Sequence, residues 1–359
     1  METTATSPSR PGRLGSPDLL LRDDPRADPR MVAALSAFGM DGAQEPPPVT
    51  VASSFEEKLD FVAATEVGFG AFLGGLFTEL PEVKGVTSRT EQIEGPGGDQ
   101  LPLYIHTPTA SRGPVPCVYH IHGGGMVLSQ AADPPYVRWR NELAATGMVV
   151  VGVEFRNGAG VLGNHPFPAG LDDCNAGLAW VSEHKEALGI SKVIVSGESG
   201  GGNLSLATAL RAKRDGTLGR IAGVYAQCPY VSNAWTTKPP DLPSLYENDE
   251  YLVSCKLFAV LASVYDPTGD HEQDPLCWPY YASPADVAGL PPHVISVNDL
   301  DPLRDEGLAY YRTLLKAGVG AVSRTVNGTC HGGDIQFRAA MPDVYAATVR
   351  DIKGFADSV

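Results

Sequence analysis

The stretch VIVSGESGGGNLS, Val193 to Ser205, joins a short apolar run to a helical pattern through four glycines, with Ser199 at the junction. Gly197-Glu198-Ser199-Gly200-Gly201 fits G-x-S-x-G directly after a predicted strand and directly before a predicted helix. In that context the serine occupies a tight, strained turn, and glycines two before and two after remove side chains that would collide with strand and helix. The hydroxyl then stands clear of the sheet, above a helix N-terminus whose unpaired N–H groups favour developing negative charge. A plain turn in which Ser199 or Asn203 caps the helix accounts for the same residues, so the five positions alone leave the nucleophile open. A phosphate-binding loop does not fit, because Gly202 is followed by Asn203 and Leu204 instead of Lys and Ser or Thr.

Upstream, His122-Gly123-Gly124-Gly125 also follows a predicted strand. Unobstructed N–H groups of such glycines can aim at the oxygen of a tetrahedral intermediate, with the N–H of Gly200 as a further donor. His122 is expected to hold this loop by hydrogen bonds. Two glycine motifs in this order, each at a strand end, favour a hydrolase in which Gly123, Gly124, Gly125 and Gly200 form the oxyanion hole.

A triad on such an elbow runs Ser, acid, His along the chain. Only His271, His293 and His331 follow the serine, and only His331 lies beyond a carboxylate that itself ends a strand. Asp301, in the loop after HVISVND, is the expected acid, with Asp299 as fallback; Asp305 and Glu306 are expected to cap the next helix. Cys330 beside His331 suggests a Cys/His pair, but neighbours on an extended chain point to opposite faces.

Around these motifs, VTSRTEQIEG and LPLYIHTP read as an antiparallel pair. Near-continuous apolar runs at 116–122, 148–155, 192–197, 221–227 and 293–299 suit strands buried on both faces of a parallel sheet. Helical patterns between them imply crossover units, and hence an α/β fold with a mostly parallel central sheet flanked by helices. The strand rhythm lapses over 229–290, as expected of an insertion at one end of the sheet. Residues 31–80 read as N-terminal cap helices broken by EPPPVT, residues 81–359 as the catalytic domain, and residues 1–30, rich in Pro, Arg and Asp, as a disordered or loosely docked arm.

Composition narrows the partners. With 27 Lys and Arg against 42 Asp and Glu, the formal net charge is −15, so nucleic acid is repelled and a small neutral substrate fits better. Six cysteines without a CxxC pair suggest free buried thiols in a reducing cytoplasm and no metal site. No signal-peptide core stands in the first 30 residues, and no stretch reads as the ~18 apolar residues of a membrane span. Assembly as a homo-oligomer is compatible with all of this.

Four ordered stretches, HIHGGG, HPFPAGLDDC, GESGGGN and DPLRDEG followed by HGG, make residues 80 to 359 resemble the hormone-sensitive-lipase-like microbial carboxylesterases, which are α/β-hydrolases. The resemblance implies Ser199 as nucleophile, Asp301 as acid, His331 as base, oxyanion donors among the HGGG glycines and Gly200, no cofactor, and a cap built from 31–80 and 229–290. It makes Phe72, Trp235, Tyr251 and Trp278 candidates for the substrate pocket, alongside Phe69, Phe77 and Tyr246; the same aromatics also suit a small core within the cap. Glu198 and Gly200 depart from the GDSAGG often seen in the family, and EFRNGAGVLGN replaces the usual YRLAPE type. The implied activity is hydrolysis of small to medium carboxylic esters, with a lactone, carbamate or amide hydrolase as the alternative. A non-catalytic ligand receptor on the same fold is a further rival, against which all three triad residues argue.

Overall fold

The computed structural model describes residues 12–78, 80–111 and 113–359. Eight strands, β1 Val86–Glu94, β2 Gln100–Pro108, β3 Val115–Ile121, β4 Val149–Val153, β5 Ile190–Glu198, β6 Gly223–Gln227, β7 His293–Asn298 and β8 Ala321–Val326, form one sheet in the order β1-β2-β4-β3-β5-β6-β7-β8. β2 runs antiparallel to both neighbours, and every pairing from β4 to β8 is parallel. The apolar runs occupy the middle: all five residues of β4 and of β6 are buried, as two-sided covering requires.

Helices cover both faces. In chain order they are α1 Pro29–Ser36, α2 Phe55–Leu76, α3 Pro134–Ala144, α4 Ala169–Glu183, α5 Gly200–Arg214, α6 Ser244–Glu247, α7 Cys255–Tyr265, α8 Pro284–Val287, α9 Arg304–Lys316, α10 Gly333–Gln336 and α11 Pro342–Ser358. The insertion after β6 carries α6 to α8, and its α7 packs against α2 from the N-terminal region. α2 starts on a reciprocal capping box between Ser54 and Glu57, which satisfies donors that a helix end leaves unpaired.

Two sequence expectations need correction here. The arm 1–30 is docked from the start of its described part: Leu21 is fully buried, the Tyr251 hydroxyl lies 3.1 Å from Asp24 Oδ2, and the Arg13 guanidinium lies 4.6 Å from the centre of the Tyr251 ring. Its apolar residues find partners in other segments, where local composition does not register them; residues 1–11 lie outside the described residues. The reading that no stretch reaches membrane-span length overlooked α2, which is 22 residues long with a mean hydropathy of 1.4 and passes by length and composition alone. In the fold its Val62, Phe72, Leu73 and Leu76 are buried against the rest of the protein.

The sheet geometry gathers the chemistry. The segments after β3, β5, β6, β7 and β8 all leave the sheet at the carboxyl ends of parallel strands, and they carry HGGG, Ser199, Cys228, Asp301 and His331 respectively. Open α/β sheets place their ligands at that edge.

Candidate active site

β5 ends at Glu198 and α5 begins at Gly200, so Ser199 alone makes the turn, at φ 56° and ψ −118°. This backbone conformation is costly for a residue with a Cβ and persists only where surroundings hold it. The Ser199 N–H donates to the Gln227 carbonyl at 2.9 Å, and its own carbonyl accepts from Asn203 and Tyr230 at 3.0 Å each. A methyl group at Gly201 would run into the carbonyls of Ile121 and His122, and one at Gly197 into those of Ile121 and Gly201. Both glycines are therefore required by close backbone approach.

Ser199 Oγ lies 2.9 Å from His331 Nε2, and His331 Nδ1 lies 2.8 Å from Asp301 Oδ2. The second oxygen of Asp301 accepts the Leu303 N–H at 2.9 Å, so both carboxylate oxygens are engaged and the carboxylate is fully buried. Asp299, the fallback acid, points elsewhere: it is a quarter exposed and faces Arg304 at 3.7 Å. The expectation that Asp305 and Glu306 cap α9 is corrected. Asp305 accepts the Ser244 N–H, while Glu306, fully buried, accepts the N–H groups of Val231 and Ser232 and the Ser232 hydroxyl. Burial pushes the Glu306 carboxyl up to about 8, against the pull of those donors.

The glycine loop is held at several points. His122 Nδ1 donates to the Gly123 carbonyl at 2.7 Å, and its ring stacks on Phe155 at 4.3 Å; burial lowers its pKa to about 3, leaving a neutral ring. Glu198 takes a role the sequence did not disclose: Oε1 accepts the Gly123 N–H at 2.8 Å and Oε2 the His120 Nε2–H at 3.0 Å. At the far end of the loop, Glu154 accepts the N–H groups of Ala131 and Ala132 at 2.6 and 3.2 Å. Arg140, fully buried, donates to the Ala131 carbonyl at 2.6 Å and lies close enough to Glu154 and Glu198 to feel both charges. Gly152 makes room for it, since a Cβ there would stand 2.8 Å from the guanidinium.

This arrangement sorts the four expected oxyanion donors. The Gly123 N–H is spent on Glu198 and is removed from the set. Those of Gly124, Gly125 and Gly200 meet no acceptor among the described residues. A Cβ on Gly200 would lie 2.5 Å from the Met126 nitrogen and 2.8 Å from the Gly125 nitrogen, which shows how closely elbow and loop face each other.

Ser199 and His331 open on a cavity of about 440 Å³. Its walls are apolar: Phe69, Phe72 and Leu73 from α2, Leu257, Phe258 and Leu261 from α7, and Tyr136 and Trp139 from α3. Of the seven aromatics proposed from sequence, Phe69, Phe72 and Phe77 line it, and Trp235, Tyr246, Tyr251 and Trp278 do not. Trp235 stacks on the outer face of Phe258 at 4.8 Å, Trp278 packs beside Tyr230 and Tyr265, and Tyr251 donates its hydroxyl to the Leu19 carbonyl beneath the N-terminal arm. Trp235 and Trp278 belong to the main hydrophobic core and Tyr251 to the cluster with Leu21 and Met31, while Phe258, edge-on to His331 at 5.7 Å, contacts both Trp235 and the site. Cys228, which sequence reading passed over, lines the cavity with its donor atom within 4.8 Å of those of Asp301 and His331. Cys330 instead turns its sulfur away to 3.4 Å from Met31 Sδ.

A sheet of this order with a strained serine at the end of its fifth strand defines an α/β-hydrolase. The family model described as alpha/beta hydrolase fold matches residues 118–334, and the chain belongs to that family, in its hormone-sensitive-lipase-like branch. The solved structure of brefeldin A esterase, described as a bacterial homologue of human hormone-sensitive lipase, aligns with a TM-score of 0.92 at 44% identity, over 96% of this chain and 97% of that one. Esterase Est22 aligns with a TM-score of 0.83 at 38% identity, over 94% and 99%. Carboxylesterase NlhH of Mycobacterium tuberculosis is 32% identical over 278 residues, covering 76% of this chain and 82% of its own.

Proposed function

We propose that this chain is a serine carboxylesterase that hydrolyses small to medium, predominantly apolar esters. One observation carries the reading: the unbroken chain from Ser199 Oγ through His331 to Asp301, at 2.9 and 2.8 Å, opening on an apolar cavity. The relatives named as esterases and carboxylesterases support it independently.

In this mechanism His331 Nε2 takes the Ser199 proton as Oγ attacks the ester carbonyl. Asp301 holds the Nδ1–H tautomer and stabilises the imidazolium that forms. The N–H groups of Gly124, Gly125 and Gly200 receive the oxyanion. His331 then protonates the leaving alcohol, and water, deprotonated by the same imidazole, releases the acid. The six cysteines, all free and buried, support a reducing cytoplasmic setting.

The test is Ser199→Ala, measured with p-nitrophenyl butyrate and a fluorophosphonate probe. The expected result is a folded protein that takes no label and loses about three orders of magnitude or more in kcat. Undiminished turnover in the purified variant overturns the reading.

A further inference from the structure

The loop that carries His331 is held on one side by the sheet. Leu300 N–H donates to the Thr329 carbonyl at 3.0 Å, Asn298 Nδ2 to Thr329 Oγ1 at 2.7 Å, and Gly332 N–H to Asn298 Oδ1 at 3.1 Å. Its other side rests on the end of the N-terminal arm and on α1. The Asp28 N–H donates to the Gly328 carbonyl at 2.9 Å, and Met31 Sδ lies 3.4 Å from both the N–H and the thiol of Cys330. The absent Cβ of Gly333 would stand 3.3 Å from the same sulfur, so Met31 is seated across the base loop from position 330 to 333.

The same residues reach the acid. Leu300, between Asp299 and Asp301, is fully buried in one cluster with Leu21, Met31, Leu35 and Cys330. The arm and α1 thus cover the apolar neighbours of both the acid and the base. The acid and base loops meet through the His331–Asp301 hydrogen bond at 2.8 Å and the Leu300–Thr329 backbone bond at 3.0 Å, both made outside any helix or strand, and reacting groups tolerate misplacement of well under an ångström.

We propose that the N-terminal arm together with α1 is a part of the catalytic scaffold in which Met31, in α1, is a positioning residue: through Cys330 it holds His331 at hydrogen-bonding distance from Ser199 and Asp301. The proposal rests on the triad reading above. Met31 is fully buried and does not line the substrate cavity, so its influence falls on the chemical step and leaves substrate binding alone.

The experiment uses full-length variants, with kcat expressed per site titrated by the fluorophosphonate. Met31→Ala is expected to lower kcat about tenfold with KM within about twofold, because a displaced base loses transition-state contacts and no ground-state ones. Met31→Leu, which refills the volume, is expected to recover most of the rate. Leu35→Ala, one turn along α1 in the same cluster, is expected to lower stability while keeping kcat per titrated site. If Met31→Ala does not fold, Met31→Val is read in its place by the same criteria. The proposal is overturned if kcat per site is unchanged, if the loss falls in KM, or if Leu35→Ala lowers kcat as much. Ser199→Ala and His331→Ala run alongside: if both are dead while Met31→Ala matches wild type, the scaffold proposal fails alone, and if both retain turnover the triad reading fails.

Discussion

The Glu198 carboxylate and the Gly123 amide, 75 residues apart in the chain, are joined by a 2.8 Å hydrogen bond that ties the serine elbow to the glycine loop. The residue beside Ser199 thereby sets the position of the loop proposed to receive the oxyanion. A buried amide that loses such an acceptor is left unsatisfied, at a cost of about 1–3 kcal/mol. Glu198→Ala is accordingly expected to reduce kcat about ten- to a hundredfold with little change in KM, since loop displacement weakens transition-state contacts selectively. Steady-state kinetics on a short-chain nitrophenyl ester check this; a loss confined to KM contradicts it.

Gly200 is expected to resist substitution. Alanine often follows the serine in this family, but a methyl group here would meet the Gly125 and Met126 nitrogens at 2.8 and 2.5 Å. Both contacts are backbone, so the loop must shift to admit it, and a donor displaced from an oxyanion costs about a hundredfold or more in kcat. Gly200→Ala with wild-type kcat means the loop yields freely.

Glu66 ties α2 to its neighbours. From α2 its two oxygens accept the N–H groups of Ser129 and Val161 at 2.8 and 2.7 Å, linking the wall of the cavity to the glycine loop. Without this tie α2 is free to lift from the cavity. Glu66→Ala is expected to raise KM about three- to tenfold, a loss of binding energy of roughly one hydrogen bond to a charged group, with a smaller effect on kcat. A KM within error of wild type rules this role out.

The cavity wall also dictates selectivity. No Lys or Arg lines it among the described residues, and Glu198 contributes negative charge close to Ser199. An acyl chain ending in carboxylate must be desolvated there without a partner, at a cost of several kcal/mol. A nitrophenyl hexanoate is expected to exceed the corresponding dicarboxylate hemiester in kcat/KM by about a hundredfold or more. Comparable values for the two substrates refute the apolar pocket.

Acid sensitivity follows from three buried histidines. Burial lowers His122 to about 3 and both His106 and His293 to about 4, with the Arg140 charge adding to the effect on His106. These groups stay neutral in the fold, whereas the unfolded chain binds protons below pH 6.5. Stability from this source is therefore complete above 6.5 and is lost as pH falls toward 4, with a slope of up to about 1.4 kcal/mol per pH unit for each histidine. Urea unfolding between pH 7 and 4.5 is expected to show this decline, offset in part by Glu306, which is protonated in the fold and ionised in the unfolded chain over that range, and His293→Leu to reduce the slope by up to about 1.4 kcal/mol per pH unit. An unaltered slope in that variant refutes the assignment.

What the sequence determined by itself is the order of strands and helices and the positions of the motif residues. Period-two and near-continuous apolar runs are local signals, and β3 to β7 lie where those runs stand. Gly197 and Gly201 bracket Ser199 because a strand-to-helix turn leaves no space for other side chains, a constraint contained within five residues. Asp301 and His331 were legible because each follows a strand, and parallel strands deliver their carboxyl ends to one edge. Tertiary structure decided what depends on packing between distant segments. Glu198 became a clamp on Gly123, and Glu306 a buried anchor for Val231 and Ser232 where a helix cap was expected, because each found N–H partners about 75 residues away. Trp235, Trp278 and Tyr251 carry the same aromatic signature as Phe69, Phe72 and Phe77, yet only the three phenylalanines face the cavity. An apolar side chain reads alike in sequence whether it lines a pocket or fills a core; which one it does is set by what packs against it.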